Sequence, residues 1–127
     1  MSLSKKAVLI IEDEAAICMY MEEVFKGEGF PVLTAENGRL ALELLHRQQT
    51  LPGLIFLDLM MPVMDGHRFI HELQENPENA RFKDIPIVVV TASQMNVRGN
   101  VVTVLRKPVD LQQLCDFAEK YATMSVG

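Results

Sequence analysis

No apolar run in this sequence is long enough to span a bilayer. The longest, residues 7–11, 54–57 and 85–90, are strand-sized, against the roughly 20 residues that a membrane helix requires. Nothing is expected to cross a membrane. Cysteine is nearly absent: Cys18 and Cys115 stand far apart, each inside an apolar helical pattern. Two such thiols in a chain without a secretory signal read as reduced interior residues and not as a disulfide. The signal itself is missing, because Lys5 and Lys6 are followed by no long apolar region before Glu12. Residues 1–6 are therefore read as an N-terminal extension or cloning remnant, and the cytoplasm is the expected location. An excess of basic residues is also lacking, with 12 Lys and Arg against 17 Asp and Glu, and no basic stripe appears. This excludes nonspecific binding to a nucleic-acid backbone, which calls for clustered cations. Repeats, linkers and low-complexity stretches are absent too.

What is present is the balance of a globular protein, 49% apolar and 23% charged, over a length that suits one domain. We place that domain at residues 7–122, with 123–127 as a C-terminal tail. Two periodicities alternate along it. Residues 7–11 read as a buried strand, and 14–26 then set Ile17, Cys18, Met21, Val24 and Phe25 on one helical face. A short strand at 31–34 precedes a helix with Leu40, Ala41, Leu44 and Leu45 inward. A strand at 54–57 delivers Asp58, and Asp65 is the expected N-cap of a helix bearing Phe69, Ile70 and Leu73. Residues 76–84, polar and containing Pro77, are expected to form a loop before a strand at 86–90. After a fifth strand at 101–105, Asp110 caps a last helix that turns Leu114, Cys115, Ala118 and Tyr121 inward. Strands apolar on both faces suit a parallel sheet covered by helices on each side. Right-handed crossovers between such units give an open, doubly wound α/β sheet, whose site lies outside the carboxyl ends of its strands.

Four strand ends bring polar groups to that edge: Glu12-Asp13, Asp58, Thr91 and Lys107-Pro108. Three carboxylates gathered there repel by as much as roughly 4 kcal/mol per pair at about 4 Å and an effective dielectric of about 20. A cation must offset this, and hard oxygen ligands favour Mg²⁺ (or Mn²⁺), completed by waters and a phosphate oxygen. Asp58, on the central strand, is the candidate nucleophile toward phosphorus. Thr91 would hydrogen-bond a phosphoryl oxygen and Lys107 would supply a point charge.

Glu12-Asp13-Glu14, the run from Asp58 through Met60-Met61-Pro62-Val63-Met64 to Asp65-Gly66, Thr91-Ala92 and Lys107-Pro108 occur in this order, each at a strand end. Together they resemble the receiver domain of bacterial two-component response regulators, from about Ala7 to Tyr121. The resemblance implies a flavodoxin-like, five-stranded parallel sheet of order 2-1-3-4-5. It makes Asp58 the phosphoacceptor, Asp13 a metal ligand, Glu12 a ligand acting mainly through a water, and the Met60 backbone carbonyl a further ligand. It also implies a cis Lys107–Pro108 bond. The phosphodonor it implies is a phosphohistidine on a sensor histidine kinase or histidine phosphotransfer protein.

The sequence departs from the family pattern in places. Met60 offers no polar group to orient an attacking water and Ser93 is small, so slow self-dephosphorylation is expected. Nine residues, 92–100, separate the fourth and fifth strands, whereas a parallel crossover normally takes a dozen or more. The intervening helix is expected to be one turn or absent. Val104 stands where many receivers carry an aromatic switch residue, three positions before the lysine. The phosphorylated state would then be read through loop order around 95–100 and the last helix, or the switch has been lost.

Competing readings are weighed on the same residues. A pseudo-receiver would use Lys107 only to pair with Asp13 or Asp58 and would bind proteins constitutively. A flavin module would need a phosphate cradle where Glu12-Asp13-Glu14 repels one. A hydrolase with an aspartyl nucleophile would need a second acid at Met60, so no turnover of external substrates is expected. His67 and His71, at i and i+4, have zinc spacing but no third ligand, and are read as a solvated face. Met60, Met61 and Met64 are read as either a docking surface or loop packing.

Overall fold

Each strand of the main sheet alternates between two apolar layers, and that alternation fixes where the helices sit. The computed structural model describes residues 2–61, 63–92 and 101–126. In chain order the elements are β1 (Ser2–Lys5), β2 (Val8–Ile11), α1 (Ala15–Gly27), β3 (Val32–Ala35), α2 (Gly38–Arg47), β4 (Leu54–Asp58) and α3 (Gly66–Glu75). A 3₁₀ helix (Pro77–Phe82), β5 (Ile87–Thr91), β6 (Val101–Arg106), α4 (Leu111–Tyr121) and β7 (Thr123–Val126) follow. The five-stranded sheet runs β3-β2-β4-β5-β6, with every pairing parallel. Counted within that sheet, this is the expected order 2-1-3-4-5.

Leu9, Ile11, Ile55, Leu57 and Val89 point to one side and pack with Ala41 and Leu45 of α2 and Phe69 and Leu73 of α3. Val8, Ile10, Leu54, Phe56 and Val88 point to the other, against Met21 and Phe25 of α1 and Leu114 and Ala118 of α4. Phe25 and Phe56 stack with ring centroids 4.9 Å apart. At roughly 1.5–3 kcal/mol per fully buried large side chain, these two layers dominate the stability of the sheet. The helix starts follow local chemistry. Asn37, Asp65 and Asp110 each accept a first-turn backbone N–H, from Leu40, Arg68 and Gln112, as capping requires.

Three features differ from the sequence expectation. Residues 76–84 are not a loop throughout, since Pro77–Phe82 forms the 3₁₀ helix. Pro77 does not interrupt the segment but occupies the start of a turn, where its missing N–H costs nothing. Asn76 accepts from Glu78 N at 3.0 Å, and Phe82 is anchored in the core with no exposed surface. The chain ends were given no strand, yet β1 and β7 pair antiparallel, with Ser2 opposite Val126 and Lys5 opposite Thr123. Lys6 N donates to Ala122 O at 2.6 Å beside this pair. Each of these two segments holds only one or two apolar residues, too few to mark a strand, and they meet only through the fold. Finally, Cys18 and Cys115 are unpaired as expected but only half-buried. Residues 93–100, which contain Ser93 and the expected short or missing helix of the β5–β6 connection, lie outside the described residues.

Candidate functional site

Parallel register brings the first two acids side by side. Ile11 of β2 pairs with Leu57 of β4, so the residues that follow, Glu12 and Asp58, leave the sheet as neighbours. Glu12 N still donates to Ala35 O at 3.0 Å, which holds its backbone to the sheet edge. Its side chain and that of Asp58 are buried, 3% and 4% exposed, while Asp13 is exposed. Carboxylate oxygens of Glu12, Asp13 and Asp58 lie within 4.8 Å of one another.

Lys107 reaches this group from the far side of the sheet. Its backbone N–H donates to Thr91 O at 2.9 Å, which ties the end of β6 to the end of β5. Thr91 itself is fully buried. The Lys107 Nζ stands 3.0 Å from Glu12 Oε1, 3.5 Å from Asp58 Oδ2 and 3.7 Å from Glu14 Oε1. The Lys107–Pro108 peptide is cis, as the resemblance implied.

These distances set the electrostatics. Burial pushes the Glu12 carboxyl up to about 7; the hydrogen bond from Lys107 works against this and the nearby Asp58 charge works with it. Burial alone would lower Lys107, but the hydrogen bond to Glu12 and the charges of Glu12, Asp58 and Glu14 outweigh it and hold the ammonium above its ordinary value. Among the described residues, the Lys107 ammonium is the one cation paired with this edge, against the carboxylates of Glu12, Asp13, Glu14 and Asp58.

The loop after Asp58 is braced at two glycines. Met60 N donates to Asp58 Oδ1 at 3.2 Å, which leaves Oδ2 facing Lys107. Gly66 N donates to Leu59 O at 3.0 Å, and a Cβ there would stand 2.7 Å from Leu59 Cα and 2.8 Å from Asp58 O. Gly38 N donates to Met64 O at 3.1 Å, so α2 buttresses the same loop. Val63 carries a φ of 68°, a left-handed conformation that β-branched residues rarely adopt.

The structure thus gathers Glu12, Asp13, Asp58, Thr91 and Lys107, while Met60 borders the site with its side chain 64% exposed. Val104 lies on β6 opposite Val89, 36% exposed, and Ser93 falls outside the described residues. Met61 is buried and Met64 packs against the core, so only Met60 of the three faces solvent as a docking surface would. His71 is exposed, but His67 is half-buried, with Nε2 buried and without a hydrogen-bond partner among the described residues, so the solvated-face reading holds for His71 alone. Sequence reasoning gave no role to Glu14 or Gly38. Glu14 had a legible signal, a third acid directly after the pair; the contact of Gly38 with Met64 had none.

A family model for the response regulator receiver domain matches residues 8–119. The chain belongs to the response regulator receiver domain family. It is a phosphoacceptor module of two-component signalling. Sporulation initiation phosphotransferase F of Bacillus subtilis is 28% identical over 125 residues, covering 94% of this chain and 95% of that protein. A probable transcriptional regulator, ycf27 of Guillardia theta, is 37% identical over 89 residues, 70% of this chain but 32% of that protein. The receiver therefore spans about a third of the length of such regulators. The receiver domain of sensor histidine kinase PA1611 from Pseudomonas aeruginosa, solved with a magnesium ion coordinated in its active site cleft, superposes with a TM-score of 0.77 at 22% identity. That match covers 94% of this chain and 98% of the other. Among the described residues, no helix of the receiver is long and apolar enough to cross a membrane.

Proposed function

We propose that Asp58 accepts a phosphoryl group from a phosphohistidine on a sensor histidine kinase or histidine phosphotransfer protein, with a divalent cation held at the acidic edge. The observation that carries this reading is the convergence of Glu12, Asp13 and Asp58 oxygens within 4.8 Å, with Lys107 bridging Asp58 and Glu12 at 3.5 and 3.0 Å. Hard oxygen donors in this number fit Mg²⁺ or Mn²⁺, which keep several waters. Asp13 and Asp58 would bind the ion directly, with the Met60 backbone carbonyl, and Glu12 through a water. When bound, such an ion neutralises charge on the transferring phosphoryl oxygens.

Everything else falls to this chain. The backbone N–H of Met60 fixes one oxygen of Asp58, so the carboxylate meets phosphorus in a set orientation. An Asp58 oxygen attacks, the phosphorus–nitrogen bond of the donor breaks, and the imidazole leaves with the electron pair. Lys107 moves from the Asp58 carboxylate to the incoming phosphoryl oxygens, and the Thr91 hydroxyl donates to one of them. Met60 presents no acid or base to a leaving group or a water. We therefore read the module as a switch with a long-lived acyl phosphate and no turnover of external phosphate esters. Val104 stands where the family carries its aromatic reporter, so the phosphorylated state is read through residues 95–100 and α4, or the switch has been lost.

Intact mass after incubation with Mg²⁺ and acetyl phosphate tests the assignment. One added phosphoryl mass in the wild type and none in Asp58→Asn is the expected result. An adduct that survives Asp58→Asn would move the acceptor elsewhere, and no adduct in either protein would favour a pseudo-receiver.

A further inference from the structure

Glu14 occupies the N-cap of α1 but makes no side-chain capping bond. N-caps are normally Ser, Thr, Asp or Asn, whose short side chains satisfy a first-turn N–H, and losing such a cap typically costs about 1 kcal/mol. Here the side chain turns toward the acidic edge, where Oε1 stands 3.7 Å from Lys107 Nζ with 62% of its surface exposed. It is not among the three carboxylates whose oxygens cluster within 4.8 Å. It shares the Lys107 ammonium with Asp58 and Glu12 from the solvent side, and adds a fourth carboxylate to the three that cluster there among the described residues.

We propose that Glu14 is a specificity-determining residue for the phosphodonor. Its carboxylate repels small, multiply charged donors that arrive by diffusion, so the receiver is tuned to a protein-bound phosphohistidine whose docking outweighs a local charge. This rests on Asp58 as the acceptor. The reaction is the same for every donor: an Asp58 oxygen–phosphorus bond forms and the bond from phosphorus to its leaving group breaks. Acetyl phosphate releases acetate with the electron pair of the phosphorus–oxygen bond. Phosphoramidate, already protonated on nitrogen, releases ammonia with that of the phosphorus–nitrogen bond. Acetyl phosphate carries two negative charges at neutral pH and phosphoramidate a net one, so Glu14 opposes the first more strongly.

Phosphorylation rates of the full chain, measured by intact mass in saturating Mg²⁺, test this with Glu14→Gln, Glu14→Ser and Glu14→Asp. Low salt is expected to show Glu14→Gln faster than wild type by roughly fivefold with acetyl phosphate and about twofold with phosphoramidate, and 1 M NaCl to erase both gains. Glu14→Ser, which restores a capping hydroxyl, is expected to match Glu14→Gln, and Glu14→Asp to stay near wild type. Equal rates in wild type and Glu14→Gln, a gain that persists in high salt, or a gain confined to Glu14→Ser would overturn the proposal. Absence of any Asp58-dependent adduct in the wild type would instead overturn the acceptor assignment and this proposal with it.

Discussion

Glu12→Gln is expected to change how the stability of the metal-free protein depends on pH. The Glu12 carboxyl, almost fully buried beside Asp58, is raised from 4.5 to about 7, chiefly because burial penalises its charged form. Each unit of separation between folded and unfolded pKa is worth about 1.36 kcal/mol, so the whole shift is worth about 3 kcal/mol. The folded state holds this proton more tightly than the unfolded chain. Between the two values the native state therefore carries more bound protons, and stability falls as pH rises. The contribution is complete below about 4.5, is lost progressively up to about 7, and is flat above. At a few degrees per kcal/mol for a domain of this size, wild type should lose about 10 °C of Tm relative to Glu12→Gln between pH 5 and pH 8. The assay is thermal unfolding by circular dichroism at pH 5, 6, 7 and 8 in EDTA, taking the difference between the two proteins at each pH so that other groups cancel. Mg²⁺ selects the ionised carboxylate, so it should restore the wild type at pH 8 and help little at pH 5. A wild-type-minus-variant difference that stays flat from pH 5 to 8 would refute the reasoning.

Three further outcomes are expected. Gly66→Ala places a methyl against backbone at 2.7–2.8 Å and should destabilise the domain by about 1–3 kcal/mol in urea unfolding, while lowering the yield of Asp58 phosphorylation by displacing Leu59. Val63→Gly relieves a left-handed φ of 68° that disfavours an L-residue by roughly 1–2 kcal/mol. Part of that gain is offset by glycine's extra unfolded-state entropy, so the urea midpoint should rise by the equivalent of about 0.5–1 kcal/mol. Met60→Asn offers a polar group beside Asp58 that can orient water, and the label should decay about tenfold or more faster by time-resolved intact mass.

The sequence by itself determined the class of fold and which polar residues meet at its edge. Strands apolar on both faces, separated by helices with one apolar stripe, leave a covered parallel sheet as the arrangement that buries both, and such a sheet gathers its strand ends. Glu12, Asp13, Asp58, Thr91 and Lys107 were legible because each stands within two residues of the end of an apolar run. What those residues do to one another was not legible, because ion-pair distances depend on register and side-chain reach. Only the tertiary structure decided that Lys107 approaches Glu12 more closely than Asp58, that Asp13 stays outside the ion pair, and that the Glu14 side chain at the N-cap of α1 turns to the ammonium instead of the first turn. The 3₁₀ helix was hidden by Pro77, whose effect depends on whether it begins a turn or interrupts one. The pairing of β1 with β7 was hidden by distance along the chain. A strand's partner is chosen by where the fold places it, and a four-residue segment at each end carries no local trace of the other.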